Sequence, residues 1–250
     1  MIRIILSGCN GKMGRVITDC AAQSKDCRIV CGIDKNQSVQ NDYPVYSNPS
    51  EITETADVII DFSHPALLSS LLDYALSRQV PIVLCTTGYD KDQVKQVEQA
   101  AEKIPVFYSR NMSLGVNLLI ELSRKAAQVL GKDFDIEIIE QHHNQKVDAP
   151  SGTALMIADE ISSVREGATH YMYDRHSQRK KRDPSEIGIH SVRGGTIVGE
   201  HEVIFAGQQE VITLSHSAQS KEIFANGAIN AAHFLVKQPA GLYQMSDLLR

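Results

Sequence analysis

The sequence contains no apolar run approaching the roughly 18–20 residues that a membrane helix needs, and Met1 to Leu6 open it without a long apolar core. Neither a membrane span nor a secretory leader is expected. Cysteine is sparse: five residues, Cys9, Cys20, Cys27, Cys31 and Cys85, an odd number without the spacing of a disulfide framework. A reducing, cytoplasmic location is therefore expected. There is no CxxC and no HExxH, so the common zinc arrangements are missing and no metal is expected. Positive charge is not in excess either. Against 25 Lys and Arg stand 30 Asp and Glu, a net charge of −5 that excludes general affinity for nucleic acid. The one basic cluster, Arg179-Lys180-Lys181-Arg182, adjoins Asp183-Pro184 and reads as a solvated loop. Internal repeats and low-complexity tracts are absent too.

What is present suits a soluble enzyme. At 250 residues, 42% hydrophobic and 22% charged, the chain can bury a substantial core in one large domain or two smaller ones. Ile2-Arg3-Ile4-Ile5-Leu6 reads as a buried strand. Gly8-Cys9-Asn10-Gly11-Lys12-Met13-Gly14 follows and opens a helix reaching about Gln23, with glycines spaced GxxGxxG, one residue off the usual dinucleotide fingerprint. A second strand, Arg28 to Ile33, ends in Asp34, where a carboxylate can accept hydrogen bonds from an adenosine ribose. Asp34 favours NAD, whereas Lys35 beside it can pair with a 2′-phosphate, so NADH, NADPH or both remain open as cofactor.

The alternation continues. Asp57 to Phe62 is an apolar run ending in Ser63-His64-Pro65 before a helix from Ala66 to Arg78. Pro81 to Leu84 is a strand ending in Cys85-Thr86-Thr87-Gly88, then come a helix from about Lys91 to Lys103 and a strand, Pro105 to Tyr108. Strands alternating with helices predict an α/β fold, a Rossmann-like doubly wound parallel sheet. Ligands bind at the carboxyl edge of such sheets. Phe62 and Ser63, Cys85 to Thr87, and Ser109, Arg110, Asn111 and Met112 therefore join Gly8 to Met13, Asp34 and Lys35 as candidate cofactor residues. A helix is expected from Asn111 to Gly131.

The most concentrated chemistry lies at Glu140 to Ala154, EQHHNQKVDAPSGTA. Phe134 to Ile139 before it alternates as a half-buried strand, and Ala154, Leu155, Ile157, Ala158 and Ile161 after it share a helix face. The loop thus holds His142, His143, Lys146 and Asp148 and ends at Ser151-Gly152-Thr153, a helix start whose backbone N–H groups and dipole suit a carboxylate or phosphate. Adjacent histidines on an extended segment point to opposite faces and rarely share a metal. The pattern then changes to short strands with glycine-rich turns: Ile187 to Val192, Thr196 to Gly199, Glu202 to Phe205 and Glu210 to His216. This predicts a second α+β domain with a mixed or mostly antiparallel sheet, residues 113–220, whose open face would mediate homo-oligomerisation. Residues 1–112 with 221–250 form the dinucleotide domain, to which a helix from Ile223 to Val236 and a returning loop, Pro239 to Tyr243, belong.

Taken in order, GCNGKMG, DFSHP, TTG, NMSLGVN, EQHHNQKVDAPSGTA, IGIHSVRGGTIVGEHEVIF and FANGA make nearly the whole chain resemble the 4-hydroxy-tetrahydrodipicolinate (dihydrodipicolinate) reductase family of lysine biosynthesis. The resemblance implies that Gly8 to Met13 hold the pyrophosphate and Asp34 the ribose. Lys12 and Lys35 would meet a 2′-phosphate, and Cys85 to Thr87 and Ser109 to Met112 would flank the nicotinamide. It also implies His142 in proton transfer, Lys146 as proton donor, and His143, Ser151, Gly152 and Thr153 on a dicarboxylate substrate, in a homotetramer. His64, Cys85, Arg110 and Met112 stand where Arg, Gly, Ala and Phe are common in the family, which bears on the cofactor and leaves the EQHH loop intact. Two other readings compete: a homoserine- or aspartate-type dehydrogenase on the same architecture, and a non-catalytic dinucleotide sensor. The first would want more acidic residues around its substrate.

Overall fold

The computed structural model describes residues 1–249. In chain order these run β1 (Ile2–Ser7), α1 (Lys12–Gln23), β2 (Cys27–Ile33), β3 (Val45–Tyr46), β4 (Val58–Asp61), α2 (Leu68–Arg78), β5 (Ile82–Leu84), α3 (Lys91–Ala101) and β6 (Pro105–Tyr108). Then follow α4 (Leu114–Leu130), β7 (Asp135–His142), α5 (Gly152–Val164), β8 (His170–Met172), β9 (Glu186–Arg193), β10 (Gly199–Ala206), β11 (Val211–Ala218), α6 (Glu222–Leu235) and β12 (Gly241–Tyr243). The chain divides into two units, one holding Met1–Leu114 and the segment from Lys221 onward, the other Gly115–Ser220.

The first unit is a parallel sheet ordered β12-β6-β5-β4-β1-β2-β3. Its strands are apolar at nearly every position because both faces are covered. In β1, Ile4 and Leu6 join a core with α1 and α6, while Ile5 joins the opposite core with α2 and α3. Each such fully buried side chain stabilises the fold by about 1.5–3 kcal/mol. The strand order reverses between β1 and β4, so their carboxyl ends frame the crevice where doubly wound sheets bind ligands. Pro239 to Tyr243, expected as a loop, instead places β12 beside β6 as a parallel edge strand. Three residues with little alternation leave no readable strand pattern.

In the second unit the sheet order is β11-β10-β7-β9-β8. One face packs Ile136 and Ile138, Ile187 and Ile189, and Val203 and Phe205 against α4 and α5. The sheet is mixed rather than mostly antiparallel: β10 runs antiparallel to β7 and β11, but β9 is parallel to both β7 and β8. Parallel neighbours need a long crossover, and α5 supplies it, upstream of the run of strands that suggested hairpins. Thr196, Ile197 and Val198 are not a strand. They follow a turn at Gly194-Gly195, where Gly195 takes φ +48°, and a single strand, β10, starts at Gly199. The helix expected from Asn111 begins only at Leu114, since the Asn111 side chain accepts from Ser113 N in a turn.

The basic loop also departs from a freely solvated segment. The Arg182 guanidinium donates to Asp135 Oδ1 (2.6 Å), Glu137 Oε1 (3.0 Å) and the backbone carbonyls of Ile136, Asp183 and Glu186. Lys180 and Arg175 both reach the buried Glu186 carboxylate. Carboxylates on β7 and at the start of β9, spread over the sheet and not in one stretch of sequence, hold the loop down.

Candidate active site

In the first unit the residues after β1 form a turn that only glycine permits. Gly8 takes φ +77°, and a Cβ there would stand 2.6 Å from the Phe62 carbonyl. A Cβ on Gly14 would lie 2.2 Å from the Gly8 carbonyl, so the first turn of α1 rests directly on the loop. Gly11 caps α1 without a side-chain hydrogen bond, leaving the helix N–H groups and the positive end of the dipole for an anion. Asp34 braces the loop: Oδ2 accepts from Asn10 N at 2.9 Å and Oδ1 from Asn36 N at 2.8 Å. The Asn10 amide donates to the Asn36 carbonyl and accepts from Asn41. Cys9 is buried with its thiol pushed up to about 11, first by burial and then by Asp34. It stays protonated and offers the site only its backbone. Lys12 and Lys35 are exposed, and Met13 is half-buried.

The neighbouring strand ends converge on one buried acid, Asp61. Its carboxylate accepts from the Thr86 hydroxyl (2.6 Å), from the Ser63 hydroxyl and N–H, and from the Tyr89 hydroxyl (3.4 Å). Ser63 and Thr86 are therefore held by the protein itself, while Thr87 is exposed beside them. Cys85 is buried, and burial followed by Asp61 drives its thiol far up. The Ser109 hydroxyl donates to the Asn111 carbonyl and accepts from Asn111 N. Arg110 is exposed, whereas Met112 lies in the first core. Phe62 packs against that core as well. Asp61 was missed in the sequence, where it looks like the end of an apolar strand.

The second unit's site is built from side chains. Glu140 sits on β7 with 0% exposure, facing α5. The Arg193 guanidinium grips it with two bonds, Nη1 to Oε2 at 2.8 Å and Nη2 to Oε1 at 2.7 Å, and Ser151 N donates to Oε1 at 3.1 Å. His142, two residues on and so on the same face, brings Nδ1 to 2.6 Å from Oε2. Burial alone would raise the Glu140 carboxyl, but Arg193, Ser191, His142 and Ser151 N together hold it down to about 2. His142 is pulled below its ordinary value, chiefly by burial, with Glu140 opposing and Lys146 and Arg193 adding to the effect. It is neutral near pH 7.

His201, opposite Glu140 on β10, is 4% exposed and stands edge-to-face with His142, centroids 5.3 Å apart. Its Nε2 lies 3.1 Å from Ser151 Oγ, which accepts from Ala154 N to cap α5. Burial, then His142, lowers His201 to about 4. Lys146 Nζ pairs with Asp148 at 2.7 Å, His143 is half-buried, and Gly152 and Thr153 open α5. Among the described residues no His, Cys, Asp and Glu group is arranged to hold a metal. The arrangement offers a neutral imidazole, an ammonium and a helix start within one loop, a set suited to proton transfer on an anion.

Residues 2–112 match the sequence family described as dihydrodipicolinate reductase, N-terminus, and residues 115–249 match its C-terminus. This chain belongs to the dihydrodipicolinate reductase family. Curated relatives named 4-hydroxy-tetrahydrodipicolinate reductase include that of Caldanaerobacter subterraneus subsp. tengcongensis, 54% identical over 100% of this chain and 99% of the relative. That of Clostridium tetani is 49% identical over 100% and 97%. A dipicolinate-bound dihydrodipicolinate reductase from Paenisporosarcina sp. TG-14 superposes with a TM-score of 0.82 at 27% identity, covering 98% of this chain and 97% of that one.

Within this reductase-family chain, the sequence singled out His142, His143, Lys146, Ser151, Gly152 and Thr153: His142 closes β7, and the others fall on the loop that follows and on the start of α5. Glu140, Arg193 and His201 were not singled out. Glu140 heads the EQHH motif, where the sequence suggests the first residue of the loop although it lies within β7, while Arg193 and His201 lie more than 50 residues downstream and arrive through sheet register.

Proposed function

We propose that this protein reduces 4-hydroxy-tetrahydrodipicolinate to tetrahydrodipicolinate with a nicotinamide dinucleotide, in the diaminopimelate route to lysine. The observation that carries the reading is the EQHH loop, with a neutral imidazole, an ammonium and a helix start within one segment of a family member. The overall change consumes one hydride and one proton and releases one water. When bound, the dinucleotide supplies the hydride, and the glycine cradle and bare start of α1 fit its pyrophosphate. The first unit is the dinucleotide domain, with Gly8 to Met13, Asp34, Lys35, Phe62, Ser63, Cys85 to Thr87 and Ser109 to Met112 around the cofactor.

The second unit binds the substrate and does the acid–base work. Ser151, Gly152 and Thr153 hold one carboxylate at the start of α5, and His143 contacts the substrate. Lys146 neutralises developing negative charge and donates a proton, while His142 exchanges protons, help worth about 10²–10⁴ in rate. Asp34 favours an unphosphorylated ribose and the exposed Lys12 and Lys35 a phosphorylated one, so both NADH and NADPH serve. The sheet face away from α4 and α5, with Val192 and Val211 exposed, mediates a homotetramer. Five free thiols suit the cytoplasm.

The test is loss of NADH or NADPH absorbance with freshly generated 4-hydroxy-tetrahydrodipicolinate, each cofactor tried separately. Rapid oxidation with both is expected. A protein that binds dinucleotide yet oxidises neither would overturn the reading.

A further inference from the structure

The His142 ring has one nitrogen tied and one left over. Nδ1 faces Glu140 Oε2 at 2.6 Å, and a side chain on Gly199 would stand 3.1 Å from Nε2, so glycine there leaves that nitrogen clear. Glu140 cannot turn away. Both its oxygens are engaged by the Arg193 guanidinium, and Oε1 also takes Ser151 N. Arg193 is itself anchored, donating to the Asp148 carbonyl at 2.7 Å. The other groups acting on His142 are Lys146 from the loop, Arg193 from β9 and, edge-to-face with it, His201 on β10, which pairs with His216 on β11 in register.

We propose that Glu140 and Arg193 are positioning residues that fix the His142 proton on Nδ1, so that the imidazole meets the substrate through a bare, proton-accepting Nε2. The proposal rests on the reading of His142 as the group that exchanges protons with substrate. Nε2 takes a proton from the ring carbon between the imine and the hydroxyl-bearing carbon. The freed C–H pair forms a C=C bond as the hydroxyl, protonated by Lys146, leaves as water. The proton on Nε2 goes back to that carbon after hydride addition. While Nε2 holds it, the imidazole's new positive charge faces a fixed carboxylate, and the Nδ1 proton stays where it was. Arg193 keeps Glu140 ionised and immobile throughout. Lys146 remains the donor, which separates acceptor and donor onto two residues of one loop.

The hydrogen-bond inventory makes the role of Glu140 testable by an isosteric change. In Glu140→Gln the amide must place its oxygen and its NH₂ on one side each. The Oε1 side meets two fixed donors, Ser151 N and Arg193 Nη2, whereas the Oε2 side meets one, Arg193 Nη1, and a histidine nitrogen that can accept instead; the Ser191 hydroxyl can rotate to donate or accept. The oxygen therefore takes the Oε1 side and the NH₂ turns to His142, forcing its proton onto Nε2. In a catalytic triad the equivalent carboxylate-to-amide change lowers kcat about 10⁴-fold through the wrong tautomer.

The experiment is long-range ¹H–¹⁵N NMR of ¹⁵N-histidine-labelled full-length protein, together with kcat, KM and pH profiles. In the wild type we expect neutral His142 protonated on Nδ1 at pH 7. In Glu140→Gln we expect protonation on Nε2, a kcat about 10²–10⁴ lower, an acid limb moved to lower pH, and unchanged dinucleotide affinity. Arg193→Lys, which keeps the charge but loses the two-pronged grip, should give mixed tautomers and an intermediate kcat, and it carries the test if Glu140→Gln does not fold. A wild type with the proton on Nε2, or folded variants with wild-type tautomer and pH profile, would overturn the proposal. Absence of reductase turnover in the wild type would defeat the functional reading instead, and the tautomer measurement would still decide whether Glu140 sets the His142 proton.

Discussion

The first unit's anion cradle is made of backbone, and its specificity lies in what is absent. Gly8 and Gly14 have no Cβ because a carbonyl already occupies that space, and the start of α1 carries no capping side chain. The second unit's site is made of side chains drawn from β7, β9, β10 and a loop, each oriented by another: Arg193 holds Glu140, Glu140 holds His142, and His201 holds the Ser151 hydroxyl that caps α5. A backbone cradle fails when anything is added to it. A side-chain network fails when anything is taken away. The two sites should therefore respond oppositely to small-for-large and large-for-small substitutions.

The largest effect is expected from Gly14→Ala. Its methyl would press on the Gly8 and Cys9 carbonyls at 2.2 and 2.5 Å, and backbone cannot swing aside. Overpacking of this kind costs about 1–3 kcal/mol, and the loop must shift away from the geometry proposed to receive a pyrophosphate. Calorimetric titration should show dinucleotide binding lost, with a lowered melting temperature. Affinity close to wild type would show that the loop yields where its contacts leave no room and that the comparison is wrong on the backbone side.

Next come removals on the other side. His142→Gln and Lys146→Ala should lower kcat by about 10²–10⁴ while dinucleotide affinity stays unchanged, because neither residue belongs to the unit that holds the glycine loop. Stability should hardly move for Lys146→Ala, since its ion pair with the half-exposed Asp148 is worth at most about 1 kcal/mol. Steady-state kinetics with separate binding titrations decide it. A variant that lost cofactor affinity and kept kcat would reverse the assignment of roles.

This division also explains what the sequence disclosed. The glycine loop and the alternating strands could be read because spacing along the chain is the structure there: one residue's identity and its distance to the next glycine fix the turn. The EQHH loop disclosed its residues because they are contiguous. Arg193 and His201 remained hidden, since they reach Glu140 only through the register of β9 and β10 against β7, which no local pattern specifies. Asp61 was hidden differently, as a single acid closing an apolar strand whose partners, Ser63, Thr86 and Tyr89, belong to two loops. The short strands β3, β8 and β12 gave no periodic signal at all.

A smaller effect is expected where the network meets pH. His201 is held at about 4 by burial, below the ordinary histidine value, so in folded protein it stays neutral at pH 5. As pH falls from about 6.5 towards 4, the unfolded chain gains a proton that the folded chain refuses, and stability falls, by on the order of 3 kcal/mol in full. His142 and His216, also lowered by burial, push in the same direction. Glu140, depressed to about 2, works lower: its contribution is present above the ordinary glutamate value and is lost as pH falls from there. Melting curves should show His201→Gln flattening the decline between pH 6.5 and 4.5 while the steeper loss below 4.5 persists. An unchanged decline in that upper window would mean His201 is not the group refusing the proton.

The smallest change is also the sharpest comparison, because it repeats the glycine-to-alanine test at the other site. Gly152 begins α5 at an ordinary helical φ, and a Cβ there would meet nothing within 4 Å. Alanine is favoured over glycine in helices by up to about 1 kcal/mol, so Gly152→Ala should leave the melting temperature level or slightly raised, where Gly14→Ala lowers it. If a substrate carboxylate rests on the N–H groups of Gly152 and Thr153, the new methyl crowds it from the open side and weakens binding without touching His142 or Lys146. The expected kinetic signature is a KM raised by about tenfold or less, since a charge-assisted hydrogen bond contributes about 1.5–3 kcal/mol and would be strained rather than lost, with kcat retained. An unaltered KM would move the carboxylate off this helix start and leave the second site defined by its side chains alone.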